Sequence, residues 1–358
     1  MNTPSSGQSP VLITGGAGFI GANLAAHLLS MGRAVTIYDN LSRPGVERNL
    51  NWLRAQFGDT LQVRVADTRD AQALRDAVAG ATQVFHFAAQ VAVTSSLADP
   101  ITDFEINLRG TLNLLEAIRA ERHPPTLVFT STNKVYGALA DVELETTPTR
   151  YQPRYTHLRQ SGISERRPLD FHSPYGCSKG GADQYVLDYA RSFGIAAAVL
   201  RMSCIYGPHQ FGNEDQGWVA HFLIRALQRR AITVYGDGRQ VRDILHVDDL
   251  VEALLACQSH MPKLRGCAFN IGGGPQHTLS LLELLARIGE LQGHPPRVTH
   301  APWRVGDQRY YVSDTRAFQG ATGWRPRVSP EVGVARLHDW LRAQAFQEEH
   351  DTAGAHAA

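Results

Sequence analysis

Hydrophobic positions in the first half of the chain follow two alternating rhythms. Short strand-like runs, among them "VLIT", "AVTIYD", "TQVFHF" and "TLVFTST", are separated by longer segments whose apolar residues return every three or four positions. Short runs rich in Val, Ile and Phe read as strands buried on both faces, and the 3.6-residue rhythm reads as helices packed over them. "ITDFEINLRGTLNLLEAIRA" and "YGCSKGGADQYVLDYARSFG" read as single long helices. The order predicts an α/β fold, a Rossmann-like doubly wound parallel sheet with helices on both faces.

Past about residue 205 the alternation loosens. "FGNEDQGWVAHFLIRALQRR" reads as a loop and helix, and "ITVYGDGRQVRDILHVDDL" as a hairpin-like stretch feeding a helix. A strand-turn, "AFNIGGG", and another helix, "TLSLLELLARIGELQG", follow. The expected division is a first domain over 8–204, joined again by 241–272, a smaller lobe over 205–340, and a frayed tail over 341–358.

The first turn adds chemistry. Gly15, Gly16 and Gly18 follow the strand Val11 to Thr14, Gly21 lies one helical turn on, and the second strand ends in Asp39. Strand, glycine turn, helix, strand and acid at this spacing form the dinucleotide fingerprint. Gly15 permits the tight turn, Gly18 lets amides approach a pyrophosphate, and Gly21 allows close helix packing. The helix N-terminus favours phosphate. Asp39 accepts ribose hydroxyls and repels a 2′-phosphate, so NAD is expected over NADP, with nearby Arg43 blurring the preference. FAD and an empty, degenerate site are the alternatives.

Composition narrows the picture by exclusion. Hydrophobic residues make up 43%, charged residues 19%, and the formal net charge is +1 with fifteen histidines uncounted. Such a balance gathers neither nucleic acid nor membrane. No run approaches a membrane span, and "MNTPSSGQSP" lacks the pattern of a signal peptide. Cys177, Cys204, Cys257 and Cys267 show no metal spacing and read as reduced, mostly buried thiols of a cytoplasmic protein. No metal site is expected.

"FTSTNKVYG" ends a strand in hydroxyls, Asn133 and Lys134, which suits either a turn or a working rim where parallel strands end. "YGCSK" places Tyr175 and Lys179 four apart, on one helical face. An ammonium beside a phenol favours phenolate and turns tyrosine into a usable base. Thr132 supplies a hydroxyl to hold a reacting oxygen. His86 reads as a structural histidine.

Together these motifs resemble the extended short-chain dehydrogenase/reductase family, in its NAD-dependent sugar-nucleotide epimerase branch. The matching blocks are "TGGAGFIG", "HFAAQ", "NLRGTLNLLEA", "YGCSK", "RQVRDILHVDD" and "PWRVGDQRYYVSDTRA". The resemblance implies Thr132, Tyr175 and Lys179 as the catalytic set. For the cofactor, NAD, it implies Gly15, Gly18, Phe19, Ile20, Asp39, Asn40, Ser42, Arg43, Asp67, Thr68, Ala88, Ala89, Gln90 and Asn107, with Tyr175 and Lys179. For substrate it implies Thr132, Asn133, Tyr206, His209, Arg242, Arg304 and Asp307. Hexose dehydratases of this kind carry Asp-Glu after the threonine; Asn133 and Lys134 are not acids, which disfavours water elimination.

Within the branch, "STNKVYG", "DFHSPYGCSKG" and "GCAFNIGGG" look closest to epimerases that invert C2 of a CDP-linked 3,6-dideoxyhexose with tightly held NAD. A UDP- or GDP-hexose 4-epimerase, a net dehydrogenase or reductase, and an inactive NAD-binding regulatory protein are the alternatives. The nucleotide-linked hexose is the expected ligand, with a homodimer through a four-helix bundle of the helices near Ile101 and Tyr175. Residues 138–172 are too long for an ordinary loop and read either as a cover over the sugar, with Arg150, Arg154, Arg159, Arg166 and Arg167 on phosphate, or as a solvated loop. Trp218 reads equally as ligand contact or core.

Overall fold

The computed structural model describes residues 10–355, with side chains described for 10–344. Strands β1 (Val11–Thr14), β2 (Val35–Asp39), β3 (Leu61–Val65), β4 (Gln83–His86) and β5 (Thr126–Thr132) alternate with helices. An antiparallel pair, β6 (Leu144–Thr146) and β7 (Tyr151–Pro153), precedes β8 (Ala197–Met202) and β9 (Cys204–Tyr206). The remaining strands are β10 (Ile232–Tyr235), β11 (Val241–His246), β12 (Ala268–Ile271), β13 (Thr278–Ser280), β14 (Val298–Ala301) and β15 (Tyr310–Tyr311).

The main sheet has seven strands in the order β12-β8-β5-β4-β1-β2-β3. Every pairing in it is parallel. The order reverses direction beside β1 and β4, and at such a switch point helices leave on opposite faces and open a crevice beyond the strand ends. Two apolar layers hold it. On one face Val11 and Ile13 of β1 pack with Leu24 and Leu28 of the helix Phe19–Ser30 and with Leu250 and Leu254 of the helix Val247–Ser259. On the other, Leu12, Leu127 and Val199 pack with Leu114 and Ile118 and with Val186 of the helix Ser173–Ser192. Successive residues of β1 feed opposite cores, so Val11, Leu12 and Ile13 are all apolar.

The segment read as one long helix is helical from Pro100 to Ala120, but a wider π turn interrupts it at Glu105–Arg109. Asn107 sits in that turn and is 1% exposed. Such turns re-aim one side chain within a helix.

The expected hairpin at 232–246 does not form. β10 pairs in parallel with β14, whereas β11 joins β9, β13 and β15. Both strands found partners far along the chain, which local patterning does not encode. Of the segment 241–272, β12 lies in the main sheet and the helix Val247–Ser259 packs on it, while β11 stays in the four-stranded sheet. The stretch from 341 read as a frayed tail is helical as far as Ala355, continuing the helix that starts at Pro330. Val334, Leu337 and Leu341 anchor that helix in a third core with Phe222 and Ile244. The N-terminal stretch 1–9, read as lacking a signal peptide, lies outside the described residues, as does the last part of the tail.

No helix among the described residues is long and apolar enough to cross a membrane. All four cysteines are free; Cys257 is buried, but Cys177 and Cys267 are exposed, contrary to the expectation of mostly buried thiols.

Candidate functional site

At the switch point, Gly15 has φ +68°, and a Cβ there would lie 2.6 Å from the Ala88 amide nitrogen. Only glycine accepts both constraints. A Cβ at Gly21 would overlap the Gly15 carbonyl, so this glycine packs on the turn itself rather than on the sheet. Gly18 caps the helix Phe19–Ser30; no side chain caps it and its first turn holds no acid. The amides at Phe19 and Ile20 therefore open a helix start suited to a phosphate.

Asp39 ends β2 and accepts hydrogen bonds from the Ala17 amide (3.1 Å) and the Leu41 amide (2.9 Å). Burial raises its pKa above the usual carboxylate value. Asn40 donates to Asp67 at 2.7 Å and accepts from the Ser42 amide and hydroxyl. Arg69 grips Asp67 through two bonds of 2.9 Å, the first cause of its fall to a pKa of about 2. Thr68 is buried against Gly110. Arg43 donates to Gln216, tying this end to the cavity wall.

Ala88, Ala89 and Gln90 line the turn after β4. The Gln90 amide donates to Asn107 Oδ1 at 2.9 Å, and Asn107 Nδ2 donates to Gln90 O, Asp103 and Ser178. The Asn107 Nδ2 is thus committed inside the protein, and its Oδ1 holds the Gln90 turn beside Ala88 and Ala89. A glycine cradle, an uncapped helix start and a carboxylate at the end of β2 fit a dinucleotide.

Thr132 ends β5, and Tyr175 and Lys179 lie one turn apart in the helix Ser173–Ser192; their exposures are 7%, 8% and 4%. Tyr175 and Thr132 line the same cavity, and the Thr132 hydroxyl draws the phenol's pKa down. Lys179 Nζ donates to Thr130 O at 2.7 Å and lies 4.4 Å from the Phe129 ring centroid. The three residues converge as the motifs predict. Their electrostatics differ from the expectation. Burial, with the Asp103 carboxylate adding to it, lifts the phenol to about 12, and the Thr132 hydroxyl only partly opposes this. Burial also lowers Lys179 to about 8. The chain's own groups alone leave Tyr175 a neutral phenol at pH 7.

A cavity of about 310 Å³ runs from this cluster into the smaller lobe. Thr132, Asn133, Lys134 and Tyr175 line one end; Trp218, Arg242, Arg304 and Asp307 line the rest. Arg242 is 8% exposed and donates to Val241 O at 2.8 Å. Asp243 instead accepts from Ser203 and from the Gly274 amide, so it forms no ion pair with Arg242. Arg304 lies 3.7 Å from the Tyr235 ring centroid and pairs with Glu214 (3.8 Å) and Asp215 (3.7 Å). Trp218 donates to Cys204 Sγ at 3.4 Å.

Two assigned substrate contacts lie elsewhere. Tyr206 is 1% exposed in the third core, against Gly333 and edge-on to His246. His209 stacks on Trp52 at 3.8 Å, and burial lowers its pKa to about 4. Residues 138–172 contribute nothing to the cavity lining. Arg150 pairs with Glu283, Arg154 with Glu143, Arg159 with Glu145 and Arg167 with Asp141, so this is an ion-paired surface unit and not a cover. His86 bridges Thr14 (2.5 Å) and Thr111 (3.1 Å) and is structural.

Sequence reasoning placed Lys134 on a possible working rim without a role, and missed Gln210 and Gln240 as lining residues. Gln240 had a signal, since it stands two positions before Arg242 and strand side chains repeat every second residue. Among the described residues, no group of three or more His, Cys, Asp or Glu is arranged to hold a metal.

The model of the NAD dependent epimerase/dehydratase family matches residues 11–272. CDP-paratose 2-epimerase of Salmonella typhi is 43% identical over 337 residues, 92% of this chain and 98% of that one. Among solved structures, UDP-glucose 4-epimerase of Thermotoga maritima, with UDP-glucose, superposes with a TM-score of 0.79 at 30% identity, covering 94% of this chain and 99% of that one. UDP-glucose 4-epimerase of Thermus thermophilus, in complex with NAD, gives 0.76 at 32% identity, covering 93% and 99%. The chain belongs to the NAD-dependent epimerase/dehydratase family.

Proposed function

We propose that this enzyme is an NAD-dependent epimerase of nucleotide-linked sugars that inverts C2 of a CDP-linked 3,6-dideoxyhexose, as in the interconversion of CDP-paratose and CDP-tyvelose. The observation that carries the reading is that Thr132 and Tyr175 line one end of a cavity whose wall presents Arg242. The 43% identity to CDP-paratose 2-epimerase supports the choice of carbon and base.

NAD, when bound, supplies the hydride acceptor and donor. Tyr175 takes the C2 hydroxyl proton as the C2–H bond breaks and the C2=O bond forms. Thr132 donates to the oxygen that gains negative charge, where one positioned donor contributes about 10²–10³ in rate. Lys179 is held by Thr130 O one helical turn from Tyr175, and the positive charge of the nicotinamide, when NAD is bound, would lower the raised phenol so that it can take a proton. The 2-keto sugar then presents its other face, and Tyr175 returns the proton as C2–H re-forms. No net oxidation results. Asn133 and Lys134 line this end and offer no carboxylic acid to expel water.

The same reading makes the enzyme a cytoplasmic dimer. Ile101 (76%), Phe104 (43%) and Tyr185 (44%) leave apolar surface on the two helical segments that would pair. Unpaired, exposed Cys177 and Cys267 suit a reducing compartment.

A panel of CDP-, UDP- and GDP-linked sugars resolved by NMR tests the assignment. C2 inversion confined to CDP-sugars is expected. C4 inversion of a UDP- or GDP-hexose, or net accumulation of NADH, would replace it.

A further inference from the structure

Lys134 follows Thr132 by two residues and is bound to it: its amide donates to Thr132 Oγ1 at 3.2 Å. Its side chain lines the cavity, where Nζ donates to Gly306 O at 3.2 Å. An ammonium has three donors, and this bond uses one. The turn that aims it is stiff. Asn133 donates to Gln308 at 3.2 Å, and Gln308 donates back to Gly137 O at 2.5 Å. Burial and repulsion from Arg242 push Lys134 down to about 8, against a weaker pull from Asp307.

The charge pattern along the cavity is uneven. Arg304 is already matched by Glu214 and Asp215. Among the described residues, no carboxylate lies within ion-pair distance of Lys134 or Arg242. Two unmatched cations facing one cavity are costly, and an anionic ligand compensates both.

We propose that Lys134 contacts the phosphate nearest the sugar and thereby sets which carbon faces Thr132 and Tyr175. This rests on the sugar-nucleotide reading above. In such a substrate the phosphate is carried on C1, bonded directly to C2, whereas C4 lies across the ring. A cation tied through its own backbone to Thr132 holds that phosphate within one lysine side chain of the reacting hydroxyl. C2 then comes to the phenol, and C4 points away. Arg242 takes the remaining phosphate oxygens from β11.

Titration calorimetry with CDP, UDP and CMP on Lys134→Met and Lys134→Arg tests this without any sugar. CMP lacks the sugar-proximal phosphate. Lys134→Met should weaken CDP and UDP alike by about 10- to 100-fold, the loss of one charged hydrogen bond, and leave CMP unchanged. Lys134→Arg should recover most of the loss. Unchanged CDP affinity in a folded Lys134→Met protein overturns the contact, as does an equal loss for CMP. With the sugar nucleotide, Lys134→Met should lower kcat as well as raise KM; a change in KM alone overturns the positioning role. Because the calorimetry uses no sugar, absence of C2 inversion in wild type would defeat the epimerase reading while leaving the phosphate contact measurable.

Discussion

At the reacting end of the cavity, Thr132, Tyr175 and Lys179 come from one strand and one helix packed on each other, each less than a tenth exposed. At the far end, Arg242 comes from β11 and Arg304 from the loop before β15, and Arg304 is balanced by acids from a third segment. The first end is held by packing and short hydrogen bonds, so its geometry is set before substrate arrives. The second is assembled by charge across separate elements, so it selects ligands through Coulomb attraction and should respond to salt. In the proposed reaction, chemistry and recognition thus rest on different physical supports within one cavity.

That contrast is breakable. The largest effect is expected from Tyr175→Phe, which keeps the ring packing and removes the proton carrier: kcat should fall by about 10²–10⁴ with CDP affinity unchanged. Steady-state kinetics beside calorimetry check it, and a parallel loss of CDP affinity would erase the distinction between the ends. Thr132→Val should follow, lowering kcat by about 10²-fold. Arg242→Met should act in the opposite sense, raising KM about 10-fold or more and flattening the dependence of KM on salt while kcat moves little.

The smallest effect concerns stability. Lys134 titrates near 8 in the fold against an ordinary 10.5, so the folded state resists its charge. For a lysine lowered in this way, the penalty is full below about 8 and disappears as pH rises towards 10.5. Lys134→Met should therefore stabilise the protein at pH 7, by about 1–2 kcal/mol after loss of the Gly306 bond, and the gain should shrink above pH 8. Urea unfolding at pH 7 and pH 10 measures it. A gain that grows with pH would contradict the sign.

The reacting end was legible in the sequence because its signals are short-range. The turn at Gly15, the acid at Asp39 and the four-residue interval from Tyr175 to Lys179 fix geometry within one strand–helix unit. The phenol's raised pKa was not legible, since it comes from burial and from Asp103, which lies far away along the chain. Tyr206 and His209 sit among residues typical of a working loop, yet Gly333 and Trp52 claim them from remote segments. The arginines of 138–172 likewise looked free until partners such as Glu283 were in place. β10 and β14, which pair across the lobe, defeat any local reading of a hairpin. Contacts between distant segments decide these cases, and periodicity carries no record of them.

The central claim is that a hydride leaves C2 of the sugar and returns to the same carbon from the other face, with Tyr175 managing the proton. A CDP-linked 3,6-dideoxyhexose carrying deuterium at C2, incubated with the enzyme and followed by NMR, tests it most directly. The account predicts inversion at C2 with the deuterium retained there. Loss of the label to solvent, or no inversion at C2, would contradict it.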